Sequence, residues 1–154
     1  MPSGPPTCHP IQANFIAVRE VRYCLFRPSL PGEVLEDSEV SITQIVSPYD
    51  DSKSSIQITL KAEFGFDREK DSSPPPYGIS VTITGEFKVD QSRFPKEKVV
   101  AWAKGAAPFV LYPYLRQELH AATARSGGPS LILPLLEVPT VRIAQQEKLA
   151  PAQE

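Results

Sequence analysis

The stretch Ile56-Gln57-Ile58-Thr59-Leu60-Lys61-Ala62-Glu63-Phe64-Gly65-Phe66 alternates without interruption. Ile56, Ile58, Leu60, Ala62, Phe64 and Phe66 fall on one side, and Gln57, Thr59, Lys61 and Glu63 on the other. A period of two with a single apolar face is the pattern of an antiparallel strand that buries one side and wets the other. Working outward, residues 77–89 repeat it: Tyr77, Ile79, Val81, Ile83, Phe87 and Val89 alternate with Ser80, Thr82, Thr84, Glu86 and Lys88. Between the two, residues 67–76 are charged and end in three prolines, as suits a solvated hairpin loop.

Two earlier segments complete a sheet. Residues 15–26 are long and irregular, with Val21, Tyr23 and Leu25 alternating and a bulge predicted near Arg19 and Glu20. Residues 39–45 set Val40 and Ile42 opposite Ser41 and Thr43. Four consecutive strands predict a meander whose apolar face needs a cover.

The period then changes. Pro95, followed by Val99, Val100 and Trp102, predicts a short helix. A longer one is predicted over residues 107–125, with Phe109, Tyr112, Leu115, Leu119 and Ala122 along one stripe. Its opening turn, Phe109-Val110-Leu111-Tyr112, is apolar all round. Phe109, Val110, Leu111 and Tyr114 are therefore candidates for contact with another subunit. Pro113 should kink this helix, and Ser126-Gly127-Gly128-Pro129 should end it. The next segment, Leu131-Ile132-Leu133-Pro134-Leu135-Leu136, is strongly apolar and held extended by its prolines. It reads either as core or as the lining of a groove or interface.

Composition narrows the function classes. The 154 residues suit one domain: an arm over residues 1–10, expected to be disordered, a domain over 11–141 and a polar tail over 142–154. Sixteen basic and 18 acidic residues leave a formal charge of −2, with no basic run, so no nucleic-acid or membrane-surface partner is indicated. Cys8 and Cys24 are too few for a disulfide framework and are expected as free thiols. The N-terminus lacks the basic start and apolar stretch of a signal peptide, and no run approaches the roughly 18 apolar residues of a membrane span. A cytoplasmic location is expected. The 17 prolines cluster where arms, loops and strand ends are predicted.

One stretch carries a resemblance. Residues 106–119, read through Tyr112-Pro113-Tyr114-Leu115-Arg116-Gln117, then Gly127-Gly128 and the leucine-rich residues 131–136, resemble the SecB family. Its motif is an aromatic-Pro-Tyr-x-Arg-Glu helix, a Gly-Gly stop and a proline-containing crossover. Gln117 stands where the motif carries Glu, and the family's long final helix is shortened or absent, since only Arg142 to Ala150 remains for it before Pro151. The resemblance implies an α+β fold: a four-stranded antiparallel sheet with a long helix and a crossover loop packed on it. It further implies an ATP-independent holdase, assembled as a homotetrameric dimer of dimers, that keeps unfolded polypeptide in apolar grooves. Leu131, Leu133, Leu135, Leu136 and Val138 are the groove candidates. The partner beyond such clients would be an export motor or, in members dedicated to toxin–antitoxin systems, an antitoxin.

No catalytic constellation emerges, and no cofactor or metal is expected. His9 beside Cys8 has no second ligand pair at metal spacing and reads as an arm residue. His120, near Arg116 and Glu118, reads as a solvated helix histidine. The carboxylates at Asp50, Asp51, Asp67, Glu69 and Asp71 read as solvated loops. Gly127-Gly128 closes a helix rather than opening one, so it is no phosphate cradle. Trp102 reads as a packing anchor and Tyr112 as core.

Overall fold

The computed structural model describes residues 7–35, 40–66 and 74–136. In chain order its elements are β1 (Ile11–Leu25), β2 (Ser41–Val46), β3 (Ser55–Phe64) and β4 (Tyr77–Val89). A 3-10 turn (Lys96–Lys98), α1 (Val99–Gly105) and α2 (Ala107–Arg125) follow. The strands form one antiparallel sheet in the order β1-β4-β3-β2. This corrects the expected meander: β2, β3 and β4 are sequential neighbours, but β1 lies on the far side against β4, a Greek-key order. The connection between β1 and β2 is much longer than a hairpin, so nothing obliges those strands to pair. Alternation assigns faces; it does not assign neighbours.

The register keeps apolar residues on one face. Ile56 pairs with Phe87, Leu60 with Ile83 and Phe64 with Ile79, all buried. The opposite face pairs Gln57 with Glu86, Thr59 with Thr84 and Lys61 with Thr82. β1 slips register between Ala13 and Phe15 and again between Val18 and Glu20. The second slip is the expected bulge near Arg19. Each inserted residue re-phases the alternation, which is why β1 reads as irregular.

The two helices cover the apolar face. Buried residues of α2 are Ala107, Leu111, Leu115, Leu119 and Thr123, spaced four apart, together with Tyr112. Phe109 and Ala122, placed on the stripe by sequence, are only half-buried. A row of residues four apart runs oblique to the helix axis, and that row meets the sheet here. Pro113 has no N–H to give the preceding turn, and the long helix is bent. Trp102 of α1 sets its indole edge-on to Phe87, ring centres 5.2 Å apart, as the anchor it was expected to be.

Residues 7–10, the described part of the N-terminal arm, are tied down. Asp90 N–H donates to the Pro10 carbonyl at 2.8 Å, and Arg93 donates to the Cys8 carbonyl at 2.9 Å. The His9 ring lies 6.1 Å from that of Trp102 and accepts a hydrogen bond from Ile11 N–H at 3.0 Å. Residues 1–6 of the arm lie outside the described residues. No helix among the described residues is long and apolar enough to cross a membrane.

Candidate functional site

Gly127 adopts φ +79° and reverses the chain after α2. Ser126 Oγ caps the end by donating to the Thr123 carbonyl at 2.6 Å. The segment that follows is neither helix nor strand, so its backbone polar groups need other partners. Side chains supply them. Tyr77 donates its hydroxyl to the Pro129 carbonyl at 2.6 Å. Thr123 Oγ1 accepts from Leu131 N–H at 2.9 Å while donating to the Leu119 carbonyl. Arg116 Nε donates to the Leu133 carbonyl at 2.8 Å, and the Tyr112 hydroxyl donates to the Pro134 carbonyl at 2.6 Å. As the segment advances from 131 to 134 its partners on α2 step back from 123 to 112. It therefore runs antiparallel to the helix, pinned at intervals.

The pins decide which side chains face out. Leu131 and Leu133 are packed into the core, Leu133 only 1% exposed, so these two groove candidates line no surface. An extended backbone alternates, so Ile132, between the two, points the other way and is 56% exposed; the alternation ends at Pro134, and Leu135, of the same parity as Leu131 and Leu133, is 81% exposed. Leu136 is 44% exposed, and Val138 lies outside the described residues. Of the subunit-contact candidates on α2, Val110 and Tyr114 are exposed, Phe109 is half-buried and Leu111 is core. Leu111 fills space opened by Gly85, so its apolar character serves the sheet.

A shallow open depression of about 410 Å³ lies between α2 and the pinned segment, lined by Pro113, Arg116, Gln117, His120 and Ile132. In sequence Arg116 and Gln117 belong to a motif and His120 to a solvated helix face, and nothing local joins them to Ile132. The signal available for Ile132 was the period of two that runs through residues 131–133.

Burial pushes the Tyr77 phenol up to about 12, against a hydrogen bond with Thr123 that lowers it. Burial also raises the Tyr112 phenol, partly offset by the positive charge of Arg116. Both phenols therefore remain hydrogen-bond donors across the physiological range. Among the described residues no three His, Cys, Asp or Glu side chains gather as metal ligands.

The sheet order, the bent helix and the returning apolar segment define a SecB-like architecture. Comparison with known proteins agrees. No family model matches the chain. Protein-export protein SecB of Mesorhizobium japonicum is 27% identical over 94 residues, 61% of this chain and 52% of that protein. The chain thus spans about half the length of the curated relative it matches. A solved SecB-like chaperone of Mycobacterium tuberculosis, in complex with a ChAD peptide from the HigA1 antitoxin, superposes with a TM-score of 0.69 at 19% identity. That match covers 84% of this chain and 92% of the other. Sequence and fold point to the same relatives, SecB and SecB-like chaperones.

Proposed function

We propose that the chain is an ATP-independent holdase, located in the cytoplasm, that keeps segments of unfolded polypeptide in an apolar groove beside α2. The observation that carries this reading is the pinned segment. Four side chains fix its backbone from Pro129 to Pro134, which holds Ile132 outward, and Leu135 and Leu136 stand exposed just past the last of these hydrogen bonds. Large aliphatic side chains displayed on a pre-ordered backbone lose little conformational entropy when a client covers them. An apolar surface kept open fits capture of many sequences, because unfolded chains share apolar side chains and free backbone groups.

Assembly as a dimer of dimers is part of the proposal, supported by Val110 and Tyr114 on the uncovered side of α2. A second reading is service to a single partner, such as an antitoxin or an export motor. It is favoured by the antitoxin peptide held by the solved chaperone of matching fold.

The test is light scattering from a chemically denatured protein diluted into buffer without nucleotide. Suppression of its aggregation by an equimolar amount of this chain is expected. Undiminished aggregation of several unrelated clients at severalfold excess removes the general holdase reading. Saturable binding of one peptide in an array, with the others silent, selects the dedicated one.

A further inference from the structure

At the corner where β4 leads into α1, residues 7–9 lie over two aromatic rings. Trp102 is braced from beneath by Phe87, and both Trp102 and Phe94 are half-buried. The His9 imidazole forms the upper layer. It stacks on the Trp102 indole with centres 6.1 Å apart and planes 29° from parallel, and lies 6.3 Å from Phe94. Ile11 N–H and the Gln12 amide hold His9 from within the same stretch of chain. Across to the body of the protein, the hydrogen bond from residues 7–9 is the one Arg93 donates to the Cys8 carbonyl.

This attachment is shallow. Thr7, Cys8 and His9 are all exposed, whereas Ile11, where β1 begins, is buried, and Pro10 stays tied to Asp90 N–H. Lifting residues 7–9 therefore opens no cavity in the core and leaves the strand behind them anchored. It uncovers the indole, the Phe94 ring and a guanidinium free to donate. The attachment also reads little sequence. A main-chain carbonyl on Arg93 and a flat ring on Trp102 are groups that any extended segment with an aromatic side chain supplies.

We propose that residues 7–9 are a displaceable cover over a peptide site floored by Trp102 and Phe94, and that its occupant is an extended client segment carrying an aromatic ring. The client ring takes the place of His9 on the indole, and a client carbonyl takes that of Cys8 on Arg93. A phenyl ring is wholly apolar where an imidazole is not, so the exchange favours the client. The occupant rests on the holdase reading; the cover adds that the chain competes with its own clients, which weakens their binding by the fraction of time the site is closed.

Trp102 is the single tryptophan of the chain, so its emission reports on this corner. The test titrates the full chain with two tryptophan-free peptides that differ only in a central Phe or Leu, while suppression of client aggregation is measured in parallel. The Phe peptide should change Trp102 emission saturably and bind more tightly than the Leu peptide. His9→Ala should tighten the Phe peptide by roughly two- to tenfold, the worth of one ring stack, and should leave the thermal midpoint in place because His9 is exposed. Unchanged or weaker binding by His9→Ala overturns the cover, since the arm is then no competitor. Equal affinity for the two peptides overturns the selection of a ring. Aggregation suppressed with no Trp102 response to either peptide, in the unaltered chain and in His9→Ala, overturns the covered site and leaves the holdase reading standing. Neither suppression nor response overturns both.

Discussion

Gly85 on β4 leaves the space that Leu111 of α2 fills. A Cβ at position 85 would stand 2.7 Å from Leu111 Cδ2 and 2.9 Å from Phe87 Cε2. Helix and sheet therefore approach more closely here than any larger residue allows. Gly85→Ala should destabilise the chain by about 1–3 kcal/mol, because both neighbours are buried in a packed core. A Cβ at Gly105, at the end of α1, would meet no atom within 4 Å, so Gly105→Ala should be neutral or stabilising by up to ~1 kcal/mol. Urea denaturation of the two variants checks the pair, and equal midpoints would contradict the close approach.

Much of this architecture is legible in local pattern. The alternation of residues 56–66 and 77–89 marks β3 and β4, and the glycines after Ser126 mark the end of α2, because strand period and helix stop are properties of neighbouring residues. Strand order is not of that kind. Whether β1 pairs with β2 or β4 depends on the path of a long connection, and the alternation of Val21, Tyr23 and Leu25 serves either edge equally. The site shows the same division. The apolar run at residues 131–136 announces itself, but which of its members face outward depends on hydrogen bonds from Tyr112, Arg116 and Thr123. Those partners are distant in sequence, and Tyr77, which fixes the start of the segment, is more distant still.

The split between inward and outward leucines separates stability from capture. Leu133→Ala should cost about 2–5 kcal/mol, the range for removing a fully buried leucine, and should be visible as a lowered denaturation midpoint. Leu135→Ala removes a side chain that is mostly in water, so the midpoint should move by about 0.5 kcal/mol or less. Its effect should appear instead as weaker suppression of client aggregation. If Leu135→Ala leaves capture intact while Leu133→Ala abolishes both properties, the segment is structural and the groove lies elsewhere.

Alkaline pH should loosen the pinned segment at its start. Tyr77 is buried, and its phenol is raised from the ordinary value of 10.0 to about 12. The folded state thus holds a proton that the unfolded chain releases sooner. The stabilisation from this group is complete below pH 10 and declines as pH rises toward 12. Thermal midpoints measured between pH 9 and pH 11.5 should fall for the unaltered chain. The fall should be shallower for Tyr77→Phe, which begins less stable by about 1–3 kcal/mol because the Pro129 carbonyl loses its donor. Parallel curves for the two proteins would mean that Tyr77 titrates as an exposed phenol does.

The uncovered side of α2 carries the last expectation. Val110 and Tyr114 are exposed on the turns that flank Pro113, on a helix whose sheet-facing row is already satisfied by Leu111, Leu115 and Leu119. Two large apolar side chains at that spacing, one helical turn apart, form a ridge suited to packing against a copy of itself. Light scattering on the eluted peak should therefore return about four times the 17.0 kDa chain mass. Tyr114→Glu places a charge in the contact and should yield smaller species, with the thermal transition of the individual fold retained. A mass of one chain for the unaltered protein, constant from micromolar concentration upward, would show that Val110 and Tyr114 face solvent alone.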